Sequence, residues 1–250
     1  MRKGRVLLVA ALLLAVAGSA SGNAATPRGV PILMYHVVSA PPGSAHYLDL
    51  FVRPDDFAKQ MGWLAKHGYR AVTLKRVYDS WTQGANLPAH PVVISFDDGY
   101  LSQYTRALPV LRTHHWPGVL NMEVNFLHGV GALVPWRVRK LIDAGWELDA
   151  HTITHPDLTT VDDKRLWDEV RGSRVELRHM FHVPVDFFCY PSGRYNAHVI
   201  DAVRRAGYLA ATTTNYGLAR PSSPYTLNRV RINGSDGLLG FEHKLGALVP

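Results

Sequence analysis

The chain is almost without cysteine. Cys189 stands alone among 250 residues, which excludes an intrachain disulfide framework and any zinc site built on several thiolates. Blocks of lysine and arginine are missing as well. The formal charge is +7, and +4 once Arg2, Lys3 and Arg5 at the extreme N-terminus are set aside. That balance is too mild to argue for nucleic acid, and no nucleic-acid partner is expected. No long polar linker or low-complexity stretch follows Pro31. A composition of 47% hydrophobic, 10% aromatic and 19% charged residues excludes a disordered, collagenous or coiled-coil protein. Histidine, by contrast, is plentiful at 13 residues, which invites a search for metal ligands.

The N-terminus has the pattern of a targeting segment. Three basic residues precede an apolar run of twelve, Val6 to Ala17, and Gly18 to Ala25 is small and polar. The run falls short of the roughly 18 residues that a membrane span needs. Residues 1–25 therefore read as a secretory signal, with cleavage after Ala20, Ala24 or Ala25, and an uncleaved anchor as the alternative. Residues 26–250 are then one domain that works outside the cytoplasm, secreted or periplasmic. It is expected to be a monomer, with no stable membrane insertion once the signal is gone. Cys189 reads as a small buried residue.

Strand-like and helix-like segments alternate along this domain. Pro54 and Asp55 open a helix with Phe57, Met61 and Leu64 on one face. It stops at Gly68, and Ala71-Val72-Thr73-Leu74 follows as a strand. A second helix spans Pro135 to Ala144 and a third Asn196 to Ala206; each ends in glycine, then an aromatic, then a strand. A longer helix runs from Asp162 to Met180. Ser39 to Asp49 and Tyr216 to Pro224 read as loops. Such alternation means a mostly parallel sheet in an α/β fold. Pro91 to Phe96 is apolar at nearly every position, as suits a strand covered on both faces. In such folds chemistry gathers where strands end, here just past Phe96, Leu148, Phe188 and Ile232.

Asp97-Asp98-Gly99 lies past Phe96, and adjacent carboxylates there are costly unless paired or bound to metal. A plain turn is the alternative. Past Leu148 come His151 and His155, four apart, which on a helical turn share one face and one ion. A solvent-exposed pair is the alternative. An Asp with two His leaves open positions on a divalent ion, as catalytic sites do.

Ser95-Phe96-Asp97-Asp98-Gly99-Tyr100 resembles the first motif of the NodB-type polysaccharide deacetylases. His151-Thr152-Ile153-Thr154-His155 resembles their second, and Phe187-Phe188-Cys189-Tyr190-Pro191-Ser192-Gly193 their third. The resemblance spans about Pro31 to Ile232 and implies a distorted (β/α) barrel of the NodB homology type. It implies removal of acetyl groups from an acetylated polysaccharide with a bound divalent metal. Asp98, His151 and His155 would hold the ion and Asp97 would be the general base. Zinc is the expected ion, with nickel, cobalt and iron also suited to this donor set. The Tyr190 N–H would stabilise the oxyanion. Pro191, Gly193 and Arg194 would contact substrate, and Arg194 would stand in for an arginine that the third motif lacks here.

The family's C-terminal L-x-L-H motif, source of the usual general acid, is missing, and His243 is the only histidine in the last thirty residues. Met34-Tyr35-His36 and the strand Leu227 to Ile232 resemble the branch that acts on poly-N-acetylglucosamine. His36 would then be the acid that protonates the leaving amine. His114, His115, His179 and His182 read as surface residues. Tyr100, Trp116, Trp136 and Tyr195 are candidates for stacking on sugars. The leading expectation is a secreted N-deacetylase of an N-acetylglucosamine polymer. An O-deacetylase of xylan or another acetylated glycan is the second, and a non-catalytic glycan-binding relative the third.

Overall fold

The computed structural model describes residues 29–248 together with Met1, so the expected secretory segment lies outside the described residues. In chain order the elements are β1 (Ile32–Tyr35), β2 (Val37–Val38), β3 (Phe51–Val52), α1 (Pro54–Lys66), β4 (Tyr69–Ala71), α2 (Leu74–Gln83) and β5 (His90–Asp98). Then come α3 (Leu108–Thr113), β6 (Val119–Met122), α4 (Pro135–Asp143), β7 (Glu147–Ala150), α5 (Asp163–Phe181) and β8 (Phe187–Cys189). The chain ends with α6 (Ala197–Arg205), β9 (Ala210–Tyr216), β10 (Leu227–Arg231) and α7 (Gly237–Gly246).

Seven parallel strands close into a ring in the order β1-β10-β9-β8-β7-β6-β5, because β1 also pairs with β5. β4 pairs in parallel with the N-terminal end of β5, from Tyr69 opposite His90 to Ala71 opposite Val92. This is the distorted (β/α) barrel that the alternation implies. The ring is uneven: β7 and β8 share a single register pair, Ala150 with Phe188. Helices wrap the outside, and their apolar faces meet the sheet in one large core that includes Phe57, Leu64, Phe96, Leu141, Leu177 and Val203. The helices α1, α4 and α6 are each followed by a left-handed glycine, Gly68, Gly145 and Gly207, at φ 78, 87 and 86°.

A second, smaller cluster fills the barrel interior at the N-terminal ends of the strands. Ile32, Val93, Val119, Phe187, Ala210 and Leu227 all lie there, with Leu74 and Val77 of α2 closing that end. The strand expected over Ala71 to Leu74 is corrected accordingly. It stops at Ala71, and Thr73 caps α2 by accepting the Arg76 N–H on Oγ1 at 3.2 Å. The β-branched Val72-Thr73 pair suits a strand, but a threonine hydroxyl suits a helix N-terminus equally well. With one end plugged by α2, the opposite end is where the strands can present chemistry. Among the described residues, no helix is long and apolar enough to cross a membrane.

Candidate active site

The C-terminal strand ends surround a cavity of about 580 Å³ lined by His36, Asp97, Asp98, His151, His155 and Arg229, among others. Five of these six were expected from the sequence. Asp97 and Asp98 are the last two residues of β5 rather than residues beyond it. Their side chains point in different directions because Asp98 is left-handed, at φ 71°. Asp97 turns into the barrel, and Asp98 turns toward the two histidines.

Asp97 is buried and fully engaged. Its Oδ1 accepts from Asn121 Nδ2 at 2.7 Å and from Arg229 Nη1 at 2.7 Å. Its Oδ2 accepts from Arg229 Nη2 at 2.8 Å, and the Cys189 thiol lies 3.7 Å away. The guanidinium and carboxylate thus form a two-pronged pair with both partners buried. Burial alone would raise the Asp97 pKa, but the Arg229 charge and its hydrogen bonds hold it far below the usual carboxylate range. Arg229 also donates from Nε to the Thr213 carbonyl at 2.8 Å, which fixes the fork in place.

Arg229 was not identified from the sequence. The arginine expected to fill its place, Arg194, is corrected: it bonds Asp157 Oδ2 at 2.5 Å and is not among the residues lining the cavity. Alternation along β10 offered a clue. Arg229 and Arg231 share one face of a strand, and closure of the ring makes that face the interior.

Asp98, His151 and His155 converge. Their nearest donor atoms all lie within 4.8 Å of one another, with His151 Nε2 3.4 Å and His155 Nε2 3.9 Å from Asp98 Oδ1. His151 Nδ1 lies 2.8 Å from the Cys189 carbonyl, an acceptor only, so Nδ1 carries a proton and Nε2 is the nitrogen turned toward Asp98, where it can serve as a ligand once it gives up its own proton. One carboxylate and two imidazoles with a carbonyl behind one ring fit a divalent ion of the zinc type. A second trio, Asp97 with His151 and Cys189, is equally close. It fits less well, because both Asp97 oxygens are already committed to Arg229.

The helical turn expected for the two histidines is corrected. Residues 151–155 form a loop in which Thr152 and His155 are left-handed, at φ 69 and 53°. Such conformations cost about 1–3 kcal/mol each and persist only when the surroundings hold them. Glu169 of α5 supplies that hold. Its carboxylate accepts from Ile153 N at 2.8 Å, Thr154 N at 2.9 Å and Thr154 Oγ1 at 2.6 Å.

His36 follows β1 and points Nε2 at Asp97 Oδ2, 3.8 Å away. Gln103 Nε2 donates to the His36 carbonyl at 3.0 Å and the Asp97 carbonyl at 2.7 Å, tying the two backbones together. Burial lowers the His36 pKa; Asp97 and Asp98 oppose that shift, and Arg231 and Arg229 reinforce it. His243 lies exposed on α7, away from the cavity lining. Glu123 lines the cavity just past β6, and burial followed by repulsion from Asp98 pushes its pKa up to about 7.

The third motif forms a tight turn, with Ser192 and Gly193 left-handed at φ 53 and 70°. A Cβ at Gly193 would fall 2.0 Å from Thr214 Oγ1, so glycine is required there. Tyr190 and Ser192 line the cavity; Pro191 and Gly193 shape the turn beside it. The expectation of a free Tyr190 N–H is corrected, since it donates to the Thr212 carbonyl at 3.2 Å. Among the aromatic candidates Tyr100 lines the cavity, while Trp116 is buried and Trp136 is exposed elsewhere.

A barrel whose strand ends gather a clamped carboxylate, a mixed Asp/His donor set and a further histidine has the parts of a hydrolase site. The comparisons name it: residues 84–211 match the family described as polysaccharide deacetylase, and the chain belongs to that family. The YxkH protein of Bacillus subtilis is 32% identical over 86% of this chain and 74% of its own length. The poly-β-1,6-N-acetyl-D-glucosamine N-deacetylase of Escherichia coli K12 is 25% identical over 78% of this chain, which spans 35% of that protein. Among solved structures, the Streptococcus pyogenes deacetylase PplD in complex with acetate superposes with a TM-score of 0.82. It is 26% identical and covers 90% of this chain and all of its own.

Proposed function

We propose that this protein is a secreted, metal-dependent N-deacetylase of a polysaccharide that contains N-acetylglucosamine. One observation carries the reading. A carboxylate clamped by Arg229 and a histidine 3.8 Å from it sit in the same cavity as a separate Asp/His donor set. The relative from Escherichia coli supports the choice of polymer by the activity in its name. The basic residues and apolar run at the N-terminus support secretion.

When bound, a divalent ion supplies a lowered pKa for water and polarises a carbonyl. Asp98, His151 and His155 would hold it, with zinc the best match to their chemistry. Everything else is work for the chain's own side chains. Asp97 remains ionised because Arg229 holds it so, and it is the general base. Its Oδ2 is the less committed oxygen and takes the proton of the attacking water. His36 lies beside that oxygen, so the proton has a short route to His36 and on to the departing nitrogen. An amide needs that protonation, since an amide anion leaves poorly.

The test is acetate release from purified protein with β-1,6-linked N-acetylglucosamine oligomers, chitooligosaccharides, peptidoglycan and acetylxylan. Release from an N-acetylglucosamine polymer, abolished by chelation and restored by zinc, is expected. Release from acetylxylan alone would make the enzyme an O-deacetylase. No release from any of them, with metal bound, would favour a glycan-binding role.

A further inference from the structure

Four aromatic residues line the cavity: Tyr47, Tyr100, Phe126 and Tyr190. Three are occupied by the fold. Tyr190 is buried, with its hydroxyl donating to the Tyr225 carbonyl at 3.0 Å. Tyr100 meets Phe126 edge-on at 5.1 Å. Tyr47 differs. It is 75% exposed, and among the described residues its side chain has no hydrogen bond, ring contact or ion pair. An aromatic ring exposed at the mouth of the cavity, with no hydrogen bond, ring contact or ion pair of its own, is a surface that a ligand can use.

The ring is exposed, but its backbone is anchored. Tyr47 opens the short helical turn Leu48–Leu50, and its carbonyl accepts the Leu50 N–H at 3.1 Å. Asp49 is clasped by the segment that follows β10. Its carbonyl accepts the Gly234 N–H at 3.0 Å and its carboxylate the Ser235 hydroxyl at 3.2 Å. Gly234 packs so tightly that a Cβ would fall 2.2 Å from the Phe51 carbonyl oxygen. On its other side the turn runs into β3, which pairs with β2, and β2 begins one residue after His36. The turn is thus tied both to the segment that carries His36 and to the one that follows β10.

We propose that Tyr47 is a stacking platform for a pyranose ring of the substrate chain, next to the sugar that loses its acetyl group. This rests on the functional reading above and deepens it. The C–H face of a neutral sugar is apolar and its rim is polar, which matches a phenol with an apolar face and a polar tip. Because Tyr47 stands at the rim and not on the floor of the cavity, the ring it meets is a neighbour of the reacting unit. Its contribution therefore goes to binding of longer chains and not to the chemical step.

The experiment uses the purified, zinc-loaded enzyme with N-acetylglucosamine oligomers of increasing length and an aryl acetate. Tyr47→Ala is expected to raise KM for the longer oligomers about fivefold or more with little change in kcat. The rise should grow with oligomer length and be smallest on the aryl acetate. Tyr47→Phe keeps the ring and is expected to keep KM near that of the wild type. An unchanged KM for Tyr47→Ala on long oligomers overturns the platform, as does an equal loss on the aryl acetate. A Tyr47→Phe variant as weak as Tyr47→Ala overturns stacking as its mode. A wild-type enzyme that cleaves the aryl acetate but none of the oligomers overturns the functional reading itself, and the platform with it.

Discussion

Two pairs of carboxyl groups, each with one fully buried member, sit in one barrel under opposite electrostatic conditions. At the C-terminal strand ends, Asp97 faces Arg229 and Asp98 faces His151, and both pKa values are held below the ordinary range despite burial. Nearer the plugged end, Glu147 and Asp149 lie on the same face of β7 with no buried cation to match. There burial pushes Glu147 up to about 7, and burial with repulsion from Glu147 pushes Asp149 well above its ordinary value. The lower pair serves the fold. Glu147 Oε2 accepts the Lys75 N–H at 2.9 Å in the first turn of α2. Asp149 Oδ1 accepts the Phe187 N–H at 3.2 Å, where the β7–β8 ladder is nearly interrupted. Two carboxyls at a strand end therefore do not make a catalytic site on their own. The cations and imidazoles arranged around them decide whether they stay charged and do chemistry or share protons and brace the backbone.

The largest expected effect is at the donor set. Asp98→Ala, His151→Ala and His155→Ala should each lose bound metal, measured by elemental analysis, and all measurable acetate release. Retention of stoichiometric metal by all three would place the ion elsewhere. Next comes the clamp. Arg229→Met leaves the Asp97 carboxylate buried without its guanidinium partner, at an expected cost of about 3–5 kcal/mol in denaturant unfolding. Adding Asp97→Asn to that variant should recover part of the stability and none of the activity. If Arg229→Met unfolds like the wild type, the pair does not hold Asp97 as described. Third, His36→Ala should cut N-deacetylation by about 10²-fold or more and reduce cleavage of an activated aryl acetate much less. Near-full amide activity in this variant, with loss in His243→Ala, would move the acid to α7.

The smallest effect concerns the lower pair and has a definite sign. Glu147 ionises near 7 in the folded protein against 4.5 ordinarily, so between those values the folded state binds more protons than the unfolded. Stability should therefore fall as pH rises through that window. Glu147→Gln should remove part of that fall, seen as a flatter stability profile between pH 4.5 and 7. A profile of unchanged slope would mean that Glu147 is charged throughout and that the contrast between the two pairs is weaker than described.

Much of the site was legible because buried charge is rare and its reasons are few. A nearly continuous apolar strand ending in Asp97 and Asp98 stood out, and so did a histidine closing the apolar run that became β1. The helices α1, α4, α5 and α6 were legible from their apolar spacing and from the glycines after α1, α4 and α6. What escaped depends on closure of the ring. An arginine at 229 reads as a surface residue until β1 pairs with both β5 and β10 and turns that face inward. Asn121, Gln103 and Glu169 escaped for a similar reason: each works through hydrogen bonds to segments outside its own element. The histidine loop was misjudged because spacing by four suits a helix, whereas here two left-handed residues bring the rings together. Tyr47 carried no sequence cue beyond its place in a loop.

The central claim is that the two adjacent aspartates divide the work, with Asp97 as base and Asp98 as ligand. Asp97→Asn keeps the shape of the side chain and is the most direct probe. Metal content and acetate release should be measured on the same preparation, across an N-acetylglucosamine oligomer series. Wild-type metal content with turnover reduced by about 10²- to 10⁴-fold is the result this account predicts. Loss of the metal from Asp97→Asn, or its retention with normal turnover, would contradict it.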